Sequence, residues 1–170
     1  MSKQLINDTY PIMTTNSTEK ADFESLVEKY KSTIYSICFM FVDSKMQADD
    51  LFQEVLINLW KGFDSFRGEA NLLSWVYRVS MNTCISYRRK KKVPTVALDI
   101  APDIIDGISS ESSQTQQLHQ RIQKLEPLDR AIVLLWLENM PYEEIGEIIG
   151  TSAKNIGVRL VRIKEKLKSL

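Results

Sequence analysis

Turn-forming residues are scarce in this 170-residue chain, with six glycines and five prolines. That scarcity argues against an all-β sandwich, which needs a tight turn after every short strand. Histidine is scarcer still: His119 is the only one, so a histidine-based metal centre or catalytic triad has no raw material. Two cysteines, Cys38 and Cys84, stand alone in apolar helical patterns without a CxxC pair. They are expected to pack as small hydrophobes in a reducing compartment. No apolar run approaches the ~18 residues of a membrane span. The N-terminus holds only Leu5-Ile6 after Lys3 and lacks the apolar core of a secretion signal. The chain is therefore expected to be cytoplasmic.

Net charge is also absent, since 22 basic residues cancel 22 acidic ones. The cancellation is zonal. Residues 1–66 carry −4, residues 67–93 carry +6, residues 94–117 carry −4, residues 118–150 carry −3 and residues 151–170 carry +5. Two separated basic blocks can hold a polyanion at two places, while the acidic blocks face something else.

What is present is helical periodicity. Residues 1–19 lack it and read as a loose tail. From Ala21, Phe23, Leu26, Val27, Tyr30, Ile34, Ile37 and Phe41 recur at three-and-four spacing. A second helix is expected from Met46 to Lys61 and a third from about Asn71 to Arg89, running into Lys90-Lys91-Lys92 before Pro94. Residues 94–117 contain no Lys, Arg or aromatic residue and end in a Ser/Gln-rich stretch. That composition describes a flexible acidic linker that cannot fold alone. Helical patterning resumes at Leu118, and Pro127 suits the first turn of a further helix. The expected fold class is all-α: a helical domain over 20–93, the linker over 94–117, and a second helical domain over 118–170.

Residues 142–161, YEEIGEIIGTSAKNIGVRLV, fit a helix-turn-helix. Ile145 and Ile149 are expected to face the core, Gly146 to sit where the helices cross, and Gly150 to take the left-handed turn position. Thr151 or Ser152 can cap the second helix, which Ile156 and Leu160 would bury. Ser152, Lys154, Asn155, Arg159 and Arg162 remain outward, a set suited to the major groove. Arg pairs with guanine edges, Asn with adenine, and Lys and Ser with phosphates.

In the third helix, Arg78, Asn82 and Arg89 share a face, with Trp75 one turn earlier and Tyr77 and Tyr87 nearby. Rings among cations suit unstacked bases, because the rings stack while the cations hold phosphates. Trp75 suits burial and DNA contact equally. Asp50, Gln53 and Glu54 on the second helix would repel DNA and call for a basic protein surface.

The stretch ADDLFQEVLINLWKGFDSFRGEANLLSWVYRVSMNTCISYRRKKK resembles regions two-point-two to two-point-four of an extracytoplasmic-function sigma factor. The shared pattern is acidic-Asp-Leu-x-Gln-Glu, then Trp-aliphatic-x-Arg-aliphatic-x-x-Asn. Residues 118–170 resemble sigma region four, with Leu-x-Arg-x-Lys-x-x-Leu from Leu160 to Leu167. The resemblance implies an RNA polymerase sigma subunit, not an enzyme, needing no cofactor or metal. Its implied partners are core polymerase, promoter DNA and an anti-sigma factor. Asp49, Asp50, Gln53, Glu54 and Asn58 would bind the polymerase clamp helices. Phe63, Phe66, Arg67, Asn71, Trp75, Tyr77, Arg78, Asn82, Arg88, Arg89, Lys90, Lys91 and Lys92 would hold the minus-ten element, with a flipped base captured by the Phe63–Asn71 loop. Thr151, Ser152, Lys154, Asn155, Arg159 and Arg162 would read the minus-thirty-five duplex, and the linker would thread the polymerase cleft. Gly157 departs from the family, which more often has Lys or Arg there. It either lets backbone approach DNA or weakens upstream recognition.

Two other classes fit less well. A free-standing helix-turn-helix regulator needs neither the acidic face nor the aromatic-basic helix. A helical interaction protein needs neither the turn glycines nor the basic blocks.

Overall fold

The computed structural model describes residues 15–66, 71–91 and 113–170, which form seven α-helices. α1 (Thr15–Phe41), α2 (Lys45–Phe63) and α3 (Leu72–Lys91) pack pairwise into an N-terminal bundle. α4 (Ser113–Gln123), α5 (Pro127–Leu137), α6 (Tyr142–Ile149) and α7 (Ala153–Ser169) make the C-terminal unit.

The local chemistry sets the helix ends. The Gln47 amide donates to Ser44 Oγ at 3.3 Å to cap α2, and the Leu73 amide donates to Asn71 Oδ1 at 2.9 Å to cap α3. Pro127 opens α5, where its missing N–H costs nothing. In α2 the three-and-four pattern resolves into a fully buried seam of Ala48, Leu51, Val55 and Leu59. That seam meets Ile34, Cys38 and Phe41 of α1 and Val76, Met81 and Cys84 of α3. Each large apolar side chain so enclosed contributes roughly 1.5–3 kcal/mol. Burial beside Cys38 pushes the Cys84 thiol well above its ordinary range, as befits packing sulfur rather than a nucleophile.

Two expected boundaries move. α1 already begins at Thr15, so Thr15–Glu19 are helix rather than tail, and α4 begins at Ser113, inside the expected linker. In both places a polar stretch extends a helix that buried residues nucleate further along, and propagation costs far less than nucleation. The remainder of the expected tail (1–14) and linker (94–112) lies outside the described residues.

The helix-turn-helix has the expected turn. Gly150 has φ 85°, and its amide and that of Thr151 both reach the Gly146 carbonyl at 2.8 Å. A Cβ on Gly146 would lie 2.6 Å from the Thr151 carbonyl oxygen, so only glycine fits the crossing. Ser152, not Thr151, caps α7, accepting from the Asn155 amide at 3.2 Å. Ile145, Ile148, Ile156, Leu160 and Ile163 are buried, whereas Ile149, expected inward, is half-buried. With only eight residues in α6, Ile145 and Ile148 fill its inward side and Ile149 falls at its edge, in the cleft toward α3.

The two units are packed together, with α3 as the shared wall against α5 and α6. Ser74 Oγ donates to Glu144 Oε1 at 2.5 Å, and Arg78 Nη2 donates to the Glu147 carbonyl at 3.0 Å. At the far end, α1 leaves carbonyls that its own ladder cannot satisfy. Arg130 Nη1 donates to Met40 O at 3.0 Å, and Gln123 Nε2 donates to Val42 O at 3.1 Å. Side chains of the second unit thus complete a helix of the first.

Candidate nucleic-acid and polymerase interfaces

α3 divides its residues by face. Val76, Tyr77, Ser80, Met81, Thr83 and Cys84 turn inward, which leaves Arg78, Asn82, Arg89, Lys90 and Lys91 exposed. Asn82 and Arg89 line a cleft of about 830 Å³ whose opposite wall carries Asn155, Arg159 and Arg162 of α7. Residues expected to hold opened strand and residues expected to read duplex therefore face one another across one space.

Within α7, Asn155 Nδ2 donates to Thr151 Oγ1 at 3.2 Å, and Arg159 Nε donates to Asp129 Oδ1 at 2.5 Å. Thr151, Ser152, Lys154 and Arg162 are exposed. The Cβ position of Gly157 points at the Tyr142 ring, 3.5 Å from Cε2. That is ordinary contact distance on the side turned toward α6, so no contact within the described residues requires a glycine here.

Several expected minus-ten residues are placed differently. Tyr77 is only 4% exposed. Burial first, then the neighbouring Glu138, pushes its phenol up to about 12. It belongs to the joint between the units rather than to an exposed stacking face, because it shares α3's inward side with Met81 and Cys84. Phe63 lies in the last turn of α2 with its ring edge-on to Phe23, centroids 5.5 Å apart, and so is a packing residue of α1 and α2. Phe66 lies against Trp75 at 5.1 Å. Trp75 is half-buried, leaving one part of its ring packed and another accessible. Asn71 serves as the α3 cap. Arg88 pairs with Asp43 at 3.2 Å, and Lys91 lies over the Tyr87 ring, 5.1 Å from its centroid. Arg67 and Lys92 lie outside the described residues.

On α2, Asp50 and Gln53 are exposed and Glu54 half-buried. Asp49 accepts from the Tyr35 hydroxyl at 2.8 Å. Asn58 departs from the expected face: its Nδ2 donates to Thr83 Oγ1 at 3.1 Å, drawing it toward α3. Its place on the outer stripe is taken by apolar residues that charge-based reasoning passed over, Met46 at 68% exposure and Ile57 at 53%. Both share helical register with Asp50 and Gln53, which was the available signal. Arg130 was passed over too. Its signal was a cation set among Leu128, Ala131, Ile132 and Val133.

Among the described residues no cluster of His, Cys, Asp or Glu has metal-binding geometry, and no helix is long and apolar enough to cross a membrane.

Comparison with known proteins places the chain in a family. Residues 26–93 match the Sigma-70 region 2 family and residues 115–167 match Sigma-70, region 4. The chain is similar to the ECF RNA polymerase sigma factor SigW of Bacillus subtilis, at 28% identity over 86% of this chain and 87% of the relative. It is also similar to SigG of Mycobacterium tuberculosis, at 25% identity over 89% of this chain; there it spans about half (49%) of the relative's length. Among solved structures, the sigma factor RpoE of Bartonella quintana, crystallised with the anti-sigma factor NepR, has the same fold. Its TM-score is 0.67 at 22% identity, covering 87% of this chain and 95% of that one. With both sigma regions matched in order over more than half of its length, the chain belongs to the sigma-70 family, and the relatives SigW and SigG that it resembles are extracytoplasmic-function sigma factors.

Proposed function

We propose that this chain is a promoter-specificity subunit: it binds core RNA polymerase, reads the minus-thirty-five duplex with α7 and holds the opened minus-ten strand with α3. The observation that carries the reading is the pair of basic, amide-bearing faces, Asn82 with Arg89 and Asn155 with Arg159 and Arg162, on two domains of one chain. A duplex-only regulator has no use for the first. The chain works in the cytoplasm, catalyses no reaction itself and needs no cofactor. An anti-sigma protein that covers these faces would silence it.

The division of labour follows from charge. Lys154, Arg159 and Arg162 neutralise phosphates and offer guanine contacts, while Asn155 suits adenine. Arg78, Asn82, Arg89, Lys90 and Lys91 take the opened strand, with Trp75 and Phe66 as the nearest rings for an extruded base. Asp50 and Gln53, with Glu54 at the edge, address a basic polymerase surface. Met46 and Ile57 beside them supply the apolar contact that ion pairs alone rarely provide.

The two faces must separate to act together. Two elements some 25 base pairs apart lie roughly 85 Å apart along B-form duplex at 3.4 Å per pair, whereas here both faces share one cleft. Residues 92–112 have a maximum reach of roughly 70 Å at 3.3–3.6 Å per residue, and the domains themselves cover the rest. Polymerase binding is therefore coupled to parting α3 from α5 and α6.

Replacing Asp50 and Glu54 together with Ala should weaken binding to core polymerase by at least tenfold in a fluorescence titration. Unchanged affinity would remove α2 from the polymerase interface.

A further inference from the structure

The pairing of Arg159 with Asp129 bears on how the duplex is read, and it rests on the proposed role of α7. Asp129 lies in the first turn of α5, where the helix dipole favours a carboxylate. Its side chain is 19% exposed, and Arg159, at 44%, reaches it from the second turn of α7 through Nε alone. A guanidinium has five N–H donors in one plane. The Nε bond uses one of them and fixes that plane, leaving the two Nη groups, the fork that pairs with guanine O6 and N7, outside the bond.

We infer that Asp129 is a positioning residue for promoter readout: it touches no base itself but holds the Arg159 guanidinium in the orientation that selects one base pair of the upstream element. Two physical effects follow. The side chain is ordered before DNA arrives, so binding does not carry the whole cost of immobilising a long flexible arginine. The carboxylate is neutralised by the same bond, so it does not repel the phosphates that Arg162 and Lys154 attract. Removing Arg159 alone exposes that carboxylate to DNA, whereas removing both residues does not.

The experiment uses the full-length chain bound to core polymerase and a promoter library randomised through the upstream element, with Asp129→Ala, Asp129→Asn, Arg159→Ala and the Asp129→Ala/Arg159→Ala pair. Asp129→Ala should weaken binding to the preferred promoter about 2- to 12-fold, the cost of ordering one such side chain. The loss should relax preference at the same single position that Arg159→Ala relaxes. Asp129→Asn, which keeps an acceptor for Nε, should recover part of that preference. The double variant should bind at least as well as Arg159→Ala. A thermal melt of each variant separates misfolding from misreading, and Asp129→Asn carries the test if Asp129→Ala melts early. Equal weakening on every library member would overturn the inference by showing a purely structural pair. Tighter binding by Asp129→Ala would overturn it by showing a clamp that competes with DNA. If Arg159→Ala changes preference at no position, the base-reading role of Arg159 falls first and the inference falls with it.

Discussion

Replacing Arg130 with Met tests whether the joint between the two domains is built as described. Arg130 is 2% exposed, and its guanidinium donates to three backbone carbonyls, of Met40, Gln123 and Leu125. Two of these belong to the end of α4 and the turn after it, and one to α1, so a single side chain ties the α4–α5 corner to the N-terminal bundle. Methionine fills similar space but donates nothing, and the carbonyls stay where the helices put them. A buried acceptor left without a partner costs about 1–3 kcal/mol. The bond to Leu125 is buried and those to Met40 and Gln123 are partly so, which places the gross cost at roughly 3–5 kcal/mol. Part of that is offset, because the guanidinium is itself costly to enclose: desolvation, then Arg88, pulls its pKa down to about 10. The expected net loss is about 2–4 kcal/mol, read from urea unfolding followed by circular dichroism at 222 nm. Arg130→Lys keeps a cation but loses the planar fork and should fall between the two. A loss under about 0.5 kcal/mol for Arg130→Met would refute the reasoning, since three orphaned carbonyls cannot be that cheap.

Three further outcomes are expected. The Tyr77 phenol holds its proton up to about pH 12 because burial and Glu138 oppose its ionisation; the stability this confers is complete below pH 10 and is lost as pH rises through 12. Absorbance at 295 nm should show one late-titrating tyrosine that Tyr77→Phe removes, and a Tyr77 that ionises near 10 would mean the α3–α5 joint is open in solution. Gly157→Ala should stabilise the chain by up to about 1 kcal/mol, since the added methyl meets only the Tyr142 ring at ordinary distance; a destabilised melt would count against that placement. Ser152→Ala, which removes the α7 cap, should cost about 1 kcal/mol, whereas Thr151→Ala should cost less, and the reverse order would assign the cap to Thr151.

Helix register was legible wherever burial alone decides which way a residue faces. Leu51, Val55 and Leu59 are spaced for one face and are buried on one face, and the Gly146–Gly150–Ser152 turn follows from sterics and capping that act within a few residues. Polar and aromatic residues were read less well, because partners distant in sequence decide their orientation. Tyr77 and Asn58 sit in helices whose positions were anticipated, yet one is enclosed beside Glu138 and the other bonded to Thr83, 25 residues away. The joint of the two domains was not legible at all. It rests on contacts such as Arg78 with Glu147 and Arg130 with Met40, 69 and 90 residues apart, which no local periodicity encodes. The outer stripe of α2 shows a milder failure: its acids were noticed, while the exposed apolar Met46 and Ile57 in the same register were passed over.

The central claim is that this chain confers promoter selection on RNA polymerase, and run-off transcription in vitro tests it most directly. Core polymerase would be offered a library of duplex promoters randomised in both elements, with the chain added or withheld. The account predicts transcripts that start at one place, depend on the added chain, and come from templates sharing one upstream and one downstream sequence. Transcription that is the same with and without the chain, or that shows sequence preference in neither element, would contradict it.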